Sequence, residues 1–278
     1  MTEETAHSPR SGRTGHEALM VVQVTDTHLQ EHTRATLLGV DTDRSLEQVL
    51  ERLREAHGDA DVVLATGDLT QDGSEAAYRR LRASLADLGA PVYCLTGNHD
   101  DAPTLNAVLS GGRVSCPRSA RHGRWQLLLL NSSVRGQEGG WLAPGELDHL
   151  ERALASYPDH HALVCLHHAP VPVGSAWMDA MTVSNAEAFF AVLDRHPQVQ
   201  AILWGHIHQA FEAERRGVRL LASPSTCFQF KPGSPEFALD DAAPGYRWLR
   251  LHADGALETD VVRVAEAPAT VDMAAKGY

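Results

Sequence analysis

Short apolar runs that break off into glycine, aspartate, asparagine or histidine recur along this chain. Residues 21–24 lead into Asp26-Thr27-His28, residues 61–65 into Gly67-Asp68, and residues 92–95 into Gly97-Asn98-His99-Asp100. Residues 163–166 lead into His167-His168, and 201–204 into Gly205-His206-Ile207-His208. Their shortness and β-branched content predict buried strands. Between them the apolar positions take helical spacing. Leu46, Val49, Leu50 and Leu53 follow Ser45 and Gln48, which read as a capping box, and Gly58 stops the stripe. Tyr78, Leu81, Leu85 and Leu88 form a second stripe opened by Ser74, and Pro144-Gly145-Glu146 begins a third with Leu147, Leu150 and Leu154. A further strand is predicted over 125–130, and a helix over 186–195 with Asn185 as its cap. Strand alternating with helix predicts an α/β sheet wound with crossovers. From Val218 onward the strands 218–221, 246–251 and 256–264 are separated by proline- and glycine-rich turns, which predicts antiparallel strands finishing a second sheet.

With 278 residues, 43% of them hydrophobic, the chain can bury one large core. We expect a single domain over 19–278 behind a polar tail over 1–18. That tail has no apolar core of a secretory leader, and no run approaches the ~18 apolar residues that span a bilayer. A net charge of −12 opposes a broad nucleic-acid or anionic-membrane surface. Four cysteines without C-x-x-C spacing read as reduced thiols, suited to the cytoplasm. Histidine, with 16 copies, is the compositional hint of metal.

The polar residues at the strand ends supply the chemistry. Asp26, His28, Asp68, Asn98, His167, His206 and His208 offer oxygen and nitrogen donors without a thiolate, a set suited to manganese, iron or zinc. Seven ligands are too many for one zinc; with Asp68 shared, two divalent ions can each have four donors. Two carboxylates against two dications leave the site locally positive, which attracts a phosphate despite the acidic whole. Such ions about 3.5–4 Å apart acidify a bridging water and clamp the oxygens of an in-line displacement at phosphorus, so the expected chemistry is phosphoester hydrolysis. His99 is the candidate to hydrogen-bond the phosphate and protonate the leaving oxygen, with Asp100 orienting its ring. If the extended geometry continues, the i, i+2 spacing puts Asp26 and His28 on one face. Trp177, Phe228 and Phe230, in loop-like sequence after ligand segments, are candidates to stack on a base.

In this order, D-x-H, G-D, G-N-H-D, a later His and G-H-x-H resemble the calcineurin-like metallophosphoesterase superfamily. The resemblance implies a four-layer sandwich of two mixed sheets flanked by helices. It assigns Asp26, His28, Asp68 and His208 to one metal and Asp68, Asn98, His167 and His206 to the other. The phosphate is then held among His28, Asn98, His99 and His208, with Asp68, Asn98 and His99 as the catalytic group. Beyond the ligands, Leu37-Leu38-Gly39-Val40, Gly67-Asp68-Leu69-Thr70-Gln71-Asp72, Ser223-Pro224-Ser225-Thr226-Cys227, Gln229-Phe230-Lys231-Pro232 and His252-Ala253-Asp254-Gly255 look like the bacterial 3′,5′-cyclic AMP phosphodiesterases. That likeness implies hydrolysis of 3′,5′-cyclic AMP to 5′-AMP with two divalent ions, iron or manganese before zinc or cobalt. The alternatives are the same machinery acting on 2′,3′-cyclic nucleotides or glycerol phosphodiesters, and a non-catalytic scaffold of the same fold.

Overall fold

The structure, a computed structural model, describes residues 18–267 and 270–277. The expected tail over 1–18 therefore lies outside the described residues, apart from Ala18. Two six-stranded mixed sheets stack face to face. In the first, Ala18–Val24, Val62–Thr66, Val92–Leu95 and Val114–Ser115 run parallel, and Gly245–His252 and Leu257–Arg263 extend it antiparallel beyond Ala18–Val24. In the second, Trp125–Leu129, His161–Cys165, Val199–Trp204 and Val218–Ala222 run parallel, with Ser119–His122 and Phe211–Arg215 as antiparallel edges.

The period-two alternation of the strands divides the core into layers. Val21, Val62, Leu64 and Leu95 of the first sheet meet Trp125, Leu127, Leu163, Cys165 and Leu203 of the second. The alternate residues Val22, Val63, Ala65 and Val92 face helices α1 (Thr42–His57), α2 (Glu75–Ala86) and α3 (Ala102–Leu109). Leu128, Val164, Ile202 and Trp204 face α4 (Pro144–Ser156) and α6 (Ala186–Leu193), while the short α5 (Ala176–Asp179) sits beside them. The result is the four-layer α/β/β/α sandwich. A strand apolar on both faces is what such a stack requires, which is why the runs read as continuous rather than alternating.

Some expectations change. Helix α1 begins three residues before Ser45: Asp41 is its cap, accepting from Arg44 N–H at 2.9 Å. Ser45 is buried inside the helix and donates to the Thr226 carbonyl at 2.6 Å, a tertiary use of the hydroxyl in place of a capping box. Asn185 does precede α6, but its side chain bonds the Leu142 backbone instead of capping. The two C-terminal strands complete the first sheet, not the second, because Gly245–His252 pairs with Ala18–Val24. Helix α3 and the edge strands Ser119–His122 and Phe211–Arg215 were not foreseen; the edges are largely exposed and lack an apolar run. Among the described residues no helix is long and apolar enough to cross a membrane.

Candidate metal centre

Every polar strand end lies at the carboxyl end of a parallel strand, where α/β sheets leave a crevice. Asp26 and His28 follow Ala18–Val24, Asp68 follows Val62–Thr66 and Asn98 follows Val92–Leu95. His167, His206 and His208 come from the second sheet, after His161–Cys165 and Val199–Trp204. The site thus straddles the seam between the sheets, with the oxygen donors on one side and most imidazoles on the other.

The backbone turns sharply to aim them. Asp26, His28, Asp68, His206 and His208 have φ of 54°, 47°, 46°, 64° and 47°, the left-handed region. Asp26 and His28 are therefore not on one face of an extended strand; two left-handed turns, with Thr27 between them tied to the Leu69 carbonyl, direct both inward. Such positions cost on the order of 1–3 kcal/mol each and persist only where the surroundings over-determine them. Here Asp26 N–H donates to Gly67 O at 3.0 Å and His28 N–H to Asp68 O at 2.9 Å, and the His206 N–H reaches the Asp26 carboxylate at 3.1 Å. The glycines beside the ligands leave the room: a Cβ on Gly205 would lie 2.6 Å from Asp26 Oδ2, and one on Gly67 would be 2.7 Å from His167 Cγ.

All seven expected ligands converge. His167 Nε2 lies 3.2 Å from Asp68 Oδ2 and 3.1 Å from Asn98 Oδ1. His208 Nε2 lies 3.4 Å from Asp26 Oδ1 and 3.2 Å from His28 Nε2, which is itself 3.8 Å from Asp68 Oδ2. Asp68 sits between the two sets, and its Oδ1 accepts from His99 N–H at 2.9 Å. Three of the imidazoles are oriented from behind: His28 Nδ1 by Gln71 Oε1 at 2.7 Å, His167 Nδ1 by Thr66 O at 2.9 Å, and His208 Nδ1 by Phe228 O at 2.8 Å. A carbonyl accepts only, so Nδ1 carries the proton in these rings and the Nε2 lone pair is free to face a cation.

The residues fit a pair of divalent ions. His206 Nε2 is buried without a hydrogen-bond partner, a loss of about 1–3 kcal/mol unless something ligates it. Two imidazole Nε2 atoms 3.2 Å apart at His28 and His208 repel as lone pairs, and a shared cation removes the conflict. Without an ion, electrostatics compensate in part. Burial opposes the Asp68 carboxylate, yet His167, His99 and His28 hold it well below the ordinary range. Burial likewise opposes the His167 cation, but Asp68 and Asp26 lift the ring to about 9, whereas burial pushes His28 down to about 3.

Comparison with known proteins identifies the family. The family profile of the calcineurin-like phosphoesterases matches residues 19–210. The chain belongs to that family. It is 46% identical over 261 residues to the 3′,5′-cyclic adenosine monophosphate phosphodiesterase CpdA of Pseudomonas aeruginosa, covering 94% of this chain and 96% of that one. It is 43% identical to the CpdA of Escherichia coli strain K12, covering 95% and 96%. Among solved structures, a dimetal phosphatase from Danio rerio superposes with a TM-score of 0.60 at 15% identity, covering 89% of this chain and 99% of that one. Purple acid phosphatase PPD1 from yellow lupin gives a TM-score of 0.58 at 14% identity, covering 92% and 55%. These last two show the shared fold.

Several phosphoesterase side chains stand elsewhere than the sequence suggested. Asp100 does not serve to orient His99; its carboxylate accepts from the backbone N–H groups of Leu69, Thr70 and Gly97 and from Tyr78 O–H, so it clamps the Asp68 loop to the Asn98 loop. Phe228 and Phe230 are each 1% exposed and present no face to a base. Phe228 stacks on His28 at 5.7 Å and Phe230 on His208 at 4.3 Å, so both rings back imidazoles of the candidate metal centre. Trp177 meets Phe230 edge-on at 4.9 Å, one layer further out. The Thr66 and Phe228 carbonyls were missed because a backbone carbonyl carries no sequence signal, and the role of Gln71 because its side-chain amide meets His28 only through the fold, 43 residues away. The cysteines Cys94, Cys116, Cys165 and Cys227 are free thiols, as expected.

Proposed function

We propose that this phosphoesterase hydrolyses 3′,5′-cyclic AMP to 5′-AMP in the cytoplasm, lowering the cyclic AMP level. The observation that carries the chemistry is the convergence of Asp26, His28, Asp68, Asn98, His167, His206 and His208 on one buried cluster, with the Nε2 atoms of His28, His167 and His208 turned towards the carboxylates and Asn98. The substrate follows from the near full-length likeness to the two CpdA phosphodiesterases.

Asp26, His28, Asp68 and His208 hold one ion, and Asp68, Asn98, His167 and His206 the other, with iron or manganese as the ions that suit the set. When bound, the two ions supply positive charge for the phosphate and acidify the water that attacks it. The chain's own groups do the rest. Asp68 joins the two halves of the site, held by the His99 N–H. His28, Asn98, His99 and His208 are the side chains that would contact the phosphate, Asn98 and His99 partly exposed and His28 and His208 buried behind them, and the Asn98 amide would donate to its oxygens. His99 flanks His28 edge-on at 5.1 Å and is partly exposed, placed to give a proton to the departing 3′-oxygen. The opened ring leaves a 5′-phosphate.

The test is steady-state hydrolysis of 3′,5′-cyclic AMP, 2′,3′-cyclic AMP, cyclic GMP and glycerol phosphodiesters by chelator-stripped protein reloaded with manganese, iron or zinc. Metal-dependent preference for 3′,5′-cyclic AMP is expected. Preference for another diester discards the substrate and keeps the metal chemistry; inactivity with every ion discards both.

A further inference from the structure

His168, next to the ligand His167, has no part in the reaction above, yet it lies deep in the site. Its ring centroid is 4.9 Å from that of His167 at 86°, and 4.7 Å from that of His206 at 50°. The three rings are close enough to share an ion. His168 cannot be the donor, because both its nitrogens are engaged: Nδ1 lies 2.8 Å from Ser132 Oγ and Nε2 3.1 Å from the Glu138 carbonyl. The carbonyl can only accept, so Nε2 carries the proton and Nδ1 accepts from the Ser132 hydroxyl. Ser132 Oγ in turn accepts from the His168 N–H at 3.2 Å.

His206 presents the complementary gap. His28, His167 and His208 each have Nδ1 tied to a fixed acceptor, but among the described residues the His206 ring makes no hydrogen bond, and its Nε2 is buried without a partner. Something other than a hydrogen bond must set its angle. The nearest ring is His168, and the connection between Trp125–Leu129 and α4 closes over that ring without slack. A Cβ on Gly140 would lie 2.7 Å from His168 Cβ and Cγ. The same connection is pinned at Ser133, whose hydroxyl donates to the Thr96 carbonyl at 3.0 Å, two residues before Asn98.

We propose that His168 is the positioning residue for His206. It is a ring tethered at both nitrogens, and its packing does for His206 what Gln71, Thr66 and Phe228 do by hydrogen bonds for the other ligand imidazoles. The inference rests on the two-metal reading and extends it to a residue that touches neither ion nor substrate. Its consequence is local: loss of the His168 ring weakens the ion held by Asp68, Asn98, His167 and His206 and spares the ion held by Asp26, His28, Asp68 and His208.

The experiment is a manganese titration of chelator-stripped protein, followed by paramagnetic resonance and by atomic-emission metal counts, on wild type, His168→Ala, His168→Phe and Ser132→Ala. Wild type takes up two manganese ions and shows an exchange-coupled spectrum. His168→Ala holds the first ion as wild type does and the second at least ~10-fold more weakly, the low end for removal of an outer support, so the coupled spectrum gives way to a six-line signal. His168→Phe keeps the ring and gives up the tethers, and recovers part of the second-ion affinity. Ser132→Ala, a milder change that keeps the imidazole, weakens the second ion by a smaller factor. Equal loss of both ions in His168→Ala, undiminished second-ion affinity in that variant, or a Phe variant no better than Ala overturns the proposal; if His168→Ala does not fold, an unchanged Ser132→Ala overturns it. Uptake of fewer than two ions by wild type overturns instead the two-metal reading on which it stands.

Discussion

Gly97→Ala adds one methyl group at the point where the Asn98 loop crosses the Asp68 loop. The new Cβ would overlap Asp68 N and Oδ1 and lie 2.8 Å from Asp68 Cγ. The backbone nitrogen cannot retreat cheaply, because the Asp68 carbonyl is held by His28 N–H at 2.9 Å and the Gly97 N–H by Asp100 at 2.9 Å. Overpacking of this kind costs about 1–3 kcal/mol. If the carboxylate yields instead, it loses the His99 N–H, a charge-assisted bond worth about 1.5–3 kcal/mol. Either route costs about 1–3 kcal/mol, which for a domain of this size lowers Tm by roughly 2–12 °C. Displaced Asp68 also loosens both ions, so metal content and hydrolysis of bis(p-nitrophenyl) phosphate fall together. Calorimetry of the chelator-stripped protein and metal counts of the loaded protein read the two effects separately. Gly145→Ala is the control, since nothing lies within 4 Å of its Cβ. A Gly97→Ala protein that melts with wild type and carries its full metal would refute the claim that close approach at Gly97 positions Asp68.

Other consequences follow from the same geometry. Asp68→Ala removes the group between the two ligand sets, and metal affinity and turnover should each fall by at least ~100-fold; near-normal turnover with intact metal would contradict the shared-ligand assignment. His99→Ala should keep its metal and lose about 10²–10⁴ in turnover of 3′,5′-cyclic AMP, but far less with a p-nitrophenolate leaving group that needs no proton; equal losses on both substrates would remove His99 as the acid. Asp100→Ala leaves three backbone N–H groups and the Tyr78 hydroxyl without their acceptor, and urea titration should show a loss on the order of 3 kcal/mol or more. Metal-free protein should be most stable near pH 6.5. Burial holds the folded-state pKa of His28 and His168 near 3, so below pH 6.5 the unfolded chain binds protons that the native state refuses; each such proton costs about 1.4 kcal/mol per pH unit as pH falls towards 3. Above pH 6.5 the sign reverses, because His167, lifted to about 9 beside Asp68, keeps a proton in the native state that the unfolded chain has lost, and stability declines until pH passes 9. A flat urea midpoint between pH 6.5 and pH 5 would count against this account.

The candidate donors that converge were legible in one dimension because each stands within a few residues of the end of a strand whose burial is written in its own residues. Val62, Val63, Leu64, Ala65 and Thr66 are fully buried, so the carboxylate of Asp68, two residues past the strand's end, emerges at the sheet's carboxyl edge. Where the outcome depended on a distant partner, the reading failed. Ser45 has the spacing of a cap and instead bonds Thr226, 181 residues away. Asp100 stands beside His99 and instead serves the Leu69–Thr70 backbone. Phe228 and Phe230 sit in loop-like sequence and became the backing of His28 and His208.

The sequence by itself determined the alternation of strands and helices, the candidate donors and, with the glycines beside them, the places where the chain could turn without filling the site. Those are properties of single residues and their near neighbours: apolar periodicity, ligand chemistry and the space a missing side chain leaves. Only the tertiary structure decided which imidazole faces which carboxylate and which ring nitrogen is proton-free. It also decided that the strands ending the chain close the first sheet and that His168 props His206. These rest on contacts across the seam between two sheets, where the acceptors are mainly backbone carbonyls that every residue type possesses and no sequence pattern distinguishes.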